Sequence, residues 1–149
     1  MEVGIMKVQL INQKLLRHLH FEALSNGRMR MNFDLRTTPD DNSQRMLNVL
    51  EVGTHVPIHR HLKTNESVVC LEGCLDWIFY EELPNMDGDG PVCDGETALD
   101  ETFFKEVARF RVCPREKVYG IQVPKGSWHS IEVHEPSTIF EAKDGKYGE

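Results

Sequence analysis

The stretch Gly53–Gly73, GTHVPIHRHLKTNESVVCLEG, decides how the rest of the chain is read. His59 and His61 stand two apart and Glu66 follows five later. Side chains two apart on an extended chain project to one face, so a strand here turns both imidazoles into one space. Two imidazoles and a carboxylate form a common ligand set for Fe(II), Mn(II), Ni(II) or Zn(II), completed by a fourth group or by open positions. Far downstream, PKGSWHS offers His129 just after a turn at Pro124–Gly126, among short apolar runs that read as strand edges. The expectation is one divalent ion (Zn, Fe, Mn or Ni) held by His59, His61, Glu66 and His129. An isolated H-x-H pair is usually a surface or core feature, so the weight lies on the whole constellation.

The spacing also carries a resemblance. Glycine, five residues, H-x-H, four residues, glutamate, six residues and glycine resembles the first cupin motif at Gly53, His59, His61, Glu66 and Gly73. Pro124, Gly126 and His129 match the second motif's P-x-G-x-x-H, whereas its leading glycine falls at Gly120, two residues late, and Val133 replaces its closing asparagine. More closely, the chain is similar to the WbuC-type cupin-fold metalloproteins. That likeness rests on RMRMNFDL at 28–35, SQRMLNVLEVGTHVPIHRH at 43–61, PKGSWH at 124–129 and FEAKDGKYG at 140–148. The resemblance implies a double-stranded β-helix, the cupin or jelly-roll barrel. It also implies a place in bacterial surface-polysaccharide (O-antigen or lipopolysaccharide) synthesis.

The totals agree with one compact unit. A chain of 149 residues with 40% hydrophobic content is expected to form a single domain over 1–149. A net charge of −7 disfavours non-specific contact with nucleic acid or anionic membrane, which points to small-molecule partners. No apolar run approaches the roughly 20 residues of a membrane helix, and the first residues lack a signal peptide's pattern, so the cytoplasm is expected. Cys70, Cys74, Cys93 and Cys113 are irregularly spaced and read as reduced thiols, mostly in the core.

Along the chain, Leu15, Leu16, Leu19 and Ala23 recur at helical spacing after Asn12, a candidate N-cap, which predicts a short amphipathic helix within an N-terminal segment 1–27. His18 and His20 on that helix point about 200° apart and read as surface residues. Met29, Met31, Phe33 and Leu35 alternate with charged and polar neighbours, predicting a strand with one buried and one charged face. TTPDDNS at 37–43 is turn chemistry, and 44–52 reads as a central strand, apolar on both faces. Strand-like runs at 67–71 and 74–80, separated by Glu72–Gly73, predict a hairpin with Glu66 facing inward. Residues 81–102 carry many acidic groups and no Lys or Arg, and read as a solvated acidic loop insertion. Their DGDG lacks the glycine placement of a calcium loop. Further strands are expected at 109–113, 118–123, 130–134 and 138–142, with a turn at Glu135–Pro136. About eight short strands after one helix make an all-β jelly-roll barrel with a short N-terminal α-helix the expected fold.

Arg60 alternates away from the two histidines and is expected at the surface or on an aromatic ring; Trp128 is expected in buried packing. A sequon at Asn65–Ser67 would place a glycan beside a ligand and is set aside. Arg45, Glu141 and Lys143 are charged residues in otherwise apolar strands, which pair or meet a ligand. One reading is a structural Arg45–Glu141 pair; the other is that Arg45 and Lys143 receive the anionic group of a sugar-like small molecule. Exposed sheet edges favour a homodimer. Three functions remain open at this point: a metal-dependent enzyme, such as an isomerase or epimerase, acting on a sugar or sugar-derived intermediate; a non-haem iron oxygenase; and a metal-dependent binding protein without turnover.

Overall fold

The structure, a computed structural model, describes residues 8–85 and 90–145. It opens on helix α1 (Gln13–Leu24), where the Asn12 side chain accepts a hydrogen bond of 3.0 Å from the Leu15 N–H and so satisfies one of the free amides of the first turn. Leu16, Leu19 and Ala23 are buried against Leu47 and Val49 of the sheet, with Met31, Phe33 and Phe140 packed around them. Full burial of one such side chain stabilises by about 1.5–3 kcal/mol, which is what holds a helix of this length in place. His20 is not a surface residue. Its Nδ1 lies 2.6 Å from Glu51 and its Nε2 2.9 Å from the Thr138 hydroxyl, so it ties the helix to the sheet. The apolar stripe predicts the helix, but only the docked sheet supplies partners for this histidine.

Six strands follow among the described residues: β1 (Arg30–Asp34), β2 (Ser43–Leu50), β3 (Glu66–Glu82), β4 (Phe104–Val112), β5 (Gly120–Val123) and β6 (Trp128–Asp144). Pairing is antiparallel throughout, in the order β1-β2-β6-β3-β4, with β5 on β3. The fold is the expected all-β jelly roll with one short helix. Its strands are fewer and longer than expected, because two predicted breaks are bends. Glu72–Gly73 is not a hairpin turn: β3 runs through it for 17 residues. β6 likewise runs for 17 residues through Glu135–Pro136.

The two bends face each other. Gly73 sits at φ +106°, a region open to glycine at little cost, and a Cβ there would lie 2.5 Å from the Ser137 Cα. The register of β3 on β6 shifts across this point, and the Ser137 hydroxyl accepts from Cys74 N–H and donates to the Glu135 carbonyl. Pro136, without an N–H, is tolerated where the ladder is already interrupted. Beyond the bend each strand changes partner. The first half of β3 pairs with β5 and its second half with β4, while β6 passes from the second half of β3 to the first half and to β2. The sheet thereby wraps around a core of Leu50, Val68, Leu75, Trp77, Val112 and Ile139.

The acidic stretch is not a solvated excursion. Residues 86–89 lie outside the described residues, but Val92 is buried, and Cys93 and Ala98 pack on Ile58, Phe104 and Trp128. Ala98 N–H donates to Ile58 O at 2.9 Å, and Arg60 N–H to Glu96 O at 2.9 Å. Few apolar residues suffice here, because they dock onto the segment that carries the histidines.

Candidate metal centre

Residues 57–61 form an extended segment beside the start of β6. His59 and His129 exchange both backbone hydrogen bonds, at 3.0 and 2.8 Å, which sets their side chains next to each other on one face. His61, two residues on, shares that face, and its carbonyl accepts from Gly126 N–H at 2.7 Å, locking the Pro124–Gly126 turn against it. Ring centroids stand 4.2 Å (His59–His129), 5.2 Å (His59–His61) and 5.7 Å (His61–His129) apart. One nitrogen from each ring lies within 4.8 Å of the other two. Glu66 opens β3 at the edge of this cluster, its Oε2 3.3 Å from His61 Nε2.

The protonation pattern suits a metal. His59 Nδ1 lies 2.9 Å from Pro57 O and His129 Nδ1 2.9 Å from Ser127 O. A carbonyl only accepts, so each Nδ1 carries the hydrogen and each Nε2 keeps its lone pair, the arrangement that orients metal-binding imidazoles. Burial pushes His59 below the usual imidazole range and His129 down to about 4. For Glu66 burial alone would raise the carboxyl, but the His61 contact and the neighbouring imidazoles outweigh it and hold it low. Neutral imidazoles and an ionised carboxylate are the states that ligate. His61 Nε2 is buried and has no hydrogen bond of acceptable geometry. A buried unmade bond costs about 1–3 kcal/mol, and a divalent ion at this point would remove that cost. The residues present therefore fit the ion.

The cluster opens into a cavity of about 420 Å³. Leu50, Val56, Pro57 and Ile131 give it apolar ground, and behind His129 the Phe79 ring lies tilted with its centroid 6.2 Å away. Its far wall is polar. Gln44, Met46 and Asn48 of β2 face in, beside Glu141 and Lys143 of β6, and Arg30 and Asn32 of β1 continue the wall. Lys143 is buried. Burial pushes the Glu141 carboxyl up to about 8, with the nearby Glu66 charge adding to the effect and Asn48 and Lys143 opposing it. Arg60 also reaches the rim, its guanidinium 4.3 Å over the Trp128 ring, while Trp128 itself is buried.

Of the charged candidates, Glu141 and Lys143 line this cavity and Arg45 does not. Strand parity decides it: Gln44, Met46 and Asn48 point inward, so Arg45 points to the helix side with Leu47 and Val49. There Arg45 donates to Asp41 at 2.8 Å and to Ser43 O at 2.8 Å, and the anticipated pairing with Glu141 is replaced by this local one. Sequence reasoning missed Gln44, Asn48, Arg30, Glu96 and Thr97 as lining residues. The alternation at 29–35 does mark a polar face, but that face looks into the cavity at Arg30 and Asn32, a fact that depends on the register with β2.

The family described as "Domain of unknown function (DUF6016)" matches residues 11–89. No curated protein matches the chain in sequence. Among solved structures it is similar to the Cnp3 cupin domain of Schizosaccharomyces pombe, at 12% identity and TM-score 0.53, over 80% of this chain and 67% of that one. A cupin-2 domain containing protein from Shewanella frigidimarina matches at 16% identity and TM-score 0.53, over 91% and 94%. The capsular polysaccharide assembling protein CapF from Staphylococcus aureus matches at 18% identity and TM-score 0.53, over 82% of this chain and 29% of CapF. The chain thus spans under a third of the CapF chains it resembles. At these identities the likeness speaks for the fold, which is that of the cupins. Among the described residues no helix is long and apolar enough to cross a membrane.

Proposed function

Since the chain belongs to the family described as a domain of unknown function (DUF6016), its activity has to be read from its site, and we propose a metal-dependent cupin acting on a sugar or sugar-derived small molecule of surface-polysaccharide synthesis. The ion sits at His59, His61, Glu66 and His129. The observation that carries this reading is the convergence of three imidazoles, two of them held by Nδ1–carbonyl bonds and the third with a buried Nε2 turned toward Glu66 at 3.3 Å without a well-formed hydrogen bond. The polysaccharide setting is supported by the WbuC-type sequence pattern and by the likeness to CapF, a capsular polysaccharide assembling protein, and the polar cavity wall suits a hydroxylated ligand.

A bound ion would supply a Lewis acid for a ligand carbonyl or hydroxyl. The chain's own groups do the rest. Pro57 O and Ser127 O fix the orientation of His59 and His129. The Glu141 carboxyl, raised to about 8, holds a proton at neutral pH that it can donate to a ligand oxygen, and Lys143 places positive charge beside it. Val56 and Ile131 give the cavity an apolar lining beside the imidazoles. β1, β4 and β5 each pair with a single neighbour among the described residues, and β4 exposes Val107 and Phe110, which supports a homodimer; light scattering that finds only monomer at all concentrations would remove that part.

Elemental analysis of anaerobically purified protein tests the centre. About one divalent ion per chain is expected, with strong loss in the double variant His59→Ala, His129→Ala. Unchanged metal content in that variant would end the reading. Iron as the native metal would favour an oxygenase instead, and ligand binding without any product would favour a binding protein.

A further inference from the structure

Among the described residues, a second set of metal-binding groups meets away from the histidines. Cys74 Sγ, Cys113 Sγ and a Glu116 carboxylate oxygen all lie within 4.8 Å of one another. Two local features bring them there. Leu75 pairs with Val112 at the end of the β3–β4 ladder, and the next antiparallel pair is Cys74 with Cys113. Cys113 then opens a single 3₁₀ turn, Pro114–Glu116, in which Glu116 N–H donates to Cys113 O at 2.8 Å. Side chains three apart on such a turn eclipse, so the Glu116 carboxylate comes back over the sulfur. The Cys113 sulfur makes no capping bond to the turn, and both cysteines are free thiols.

We infer that Cys74, Cys113 and Glu116 form a second metal site, for a thiophilic divalent ion of the Zn(II) or Cd(II) kind. Their spacing leaves a point within about 2.8 Å of all three donors, against bonds of about 2.3 Å to thiolate sulfur and 2.0–2.2 Å to carboxylate oxygen, so side-chain shifts of about half an ångström close the shell. Water completes four-coordination from the Glu116 side, which is also the entry path: that side chain is 53% exposed, whereas both cysteines are buried. Thiolate donors select this class over Ca(II) and Mg(II), which take shells of oxygen. Two thiolates and a carboxylate carry one negative charge more than the ion, and the Arg111 guanidinium stands 3.8 Å from Glu116 to offset it. Along β3, Cys74 is five residues from Phe79, the strand partner of His129, a separation of about 17 Å, so the two sites hold separate ions. The sulfur site is the more labile. It has one protein donor fewer than the histidine centre, and burial holds the Cys74 thiol at about 11, so an incoming ion must displace a proton there. It fills when metal is supplied and empties on purification, which leaves the ion of the histidine centre as the one retained. A bound ion pins the turn after β4 to the bend of β3.

The test is cobalt(II) titration of the full chain, stripped of metal and reduced with a phosphine, read by the near-ultraviolet sulfur-to-cobalt charge-transfer band that imidazole and carboxylate ligands do not give. The band is expected to rise and saturate at one sulfur-bound cobalt per chain, and excess zinc should erase it. It should persist in the double variant His59→Ala, His129→Ala, which removes the histidine centre, so failure of that centre leaves this readout untouched. It should also persist in Cys93→Ser, which removes the partly exposed thiol, and be abolished in Cys74→Ala. Glu116→Ala, at an exposed position, should keep the band but weaken cobalt binding about tenfold or more, the loss of one charged donor. No band in excess cobalt, a band lost in Cys93→Ser, or wild-type affinity in Glu116→Ala would overturn the site, and all three can be read even where Cys74→Ala does not fold.

Discussion

Replacing Gly73 by alanine should be among the most damaging single-methyl additions in this protein. The backbone there is at φ +106°, and an L-residue pays about 1–2 kcal/mol for leaving the right-handed and extended regions. The added Cβ would fall within van der Waals contact of Ser137 Oγ, and its distance of 2.5 Å from the Ser137 Cα cannot be relieved by a rotamer change. Overpacking against backbone adds about 1–3 kcal/mol. The sum, about 2–5 kcal/mol, is a large part of a small domain's stability. Urea unfolding followed by tryptophan fluorescence measures it, since Trp77 lies in the core that the bend closes. Metal retention should fall in parallel, because the crossing of β3 and β6 brings Glu66 and His129 toward one site. Gly73→Ala combined with Ser137→Gly should recover only the part due to the side-chain atoms. A loss below about 1 kcal/mol for Gly73→Ala alone would refute the bend as a backbone constraint and return Glu72–Gly73 to an adaptable turn.

Asp76 is buried and meets Arg111 at 2.5 Å, His134 at 3.0 Å and Arg109 at 3.2 Å; burial would raise its carboxyl, yet these partners hold it at about 2. Because the folded value lies below the unfolded one, its stabilisation is present above pH 4 and is lost as pH falls from about 4 to 2, on the order of 2 kcal/mol. Asp76→Asn should flatten that part of the stability–pH curve, and an unchanged slope would count against the network. Deleting residues 85–98 should destabilise the barrel and lower metal retention, since Val92, Cys93 and Ala98 pack on the histidine-bearing segment; a deletion that folds and holds metal normally would show the loop to be dispensable. Burial raises the Cys70 and Cys74 thiols to about 11, and Cys113 is fully buried, so a disulfide reagent at pH 7.5 should modify Cys93 rapidly and the other three only on unfolding. Equal fast reaction at all four would contradict the core placement.

What the sequence determined by itself was local. The cap at Asn12 and the stripe Leu16, Leu19, Ala23 specify α1, because capping and a 3.6-residue period act within a few residues. The two-residue spacing of His59 and His61 dictates a shared face once the segment is extended, and Arg60 between them turns away, onto Trp128. What the tertiary structure decided was everything that depends on pairing register and on contacts distant in sequence. Glycine after glutamate reads as a turn in the chain but serves as a bend when Ser137 packs against it. Parity along 44–50 is visible in the sequence, yet which parity faces the cavity is not, and so Arg45 was weighed for a place in the cavity wall that Gln44, Met46 and Asn48 occupy. An acidic composition says that a segment tolerates water, and only the docked Val92 and Ala98 show that it is held, because a few buried contacts outweigh the average polarity of the residues around them.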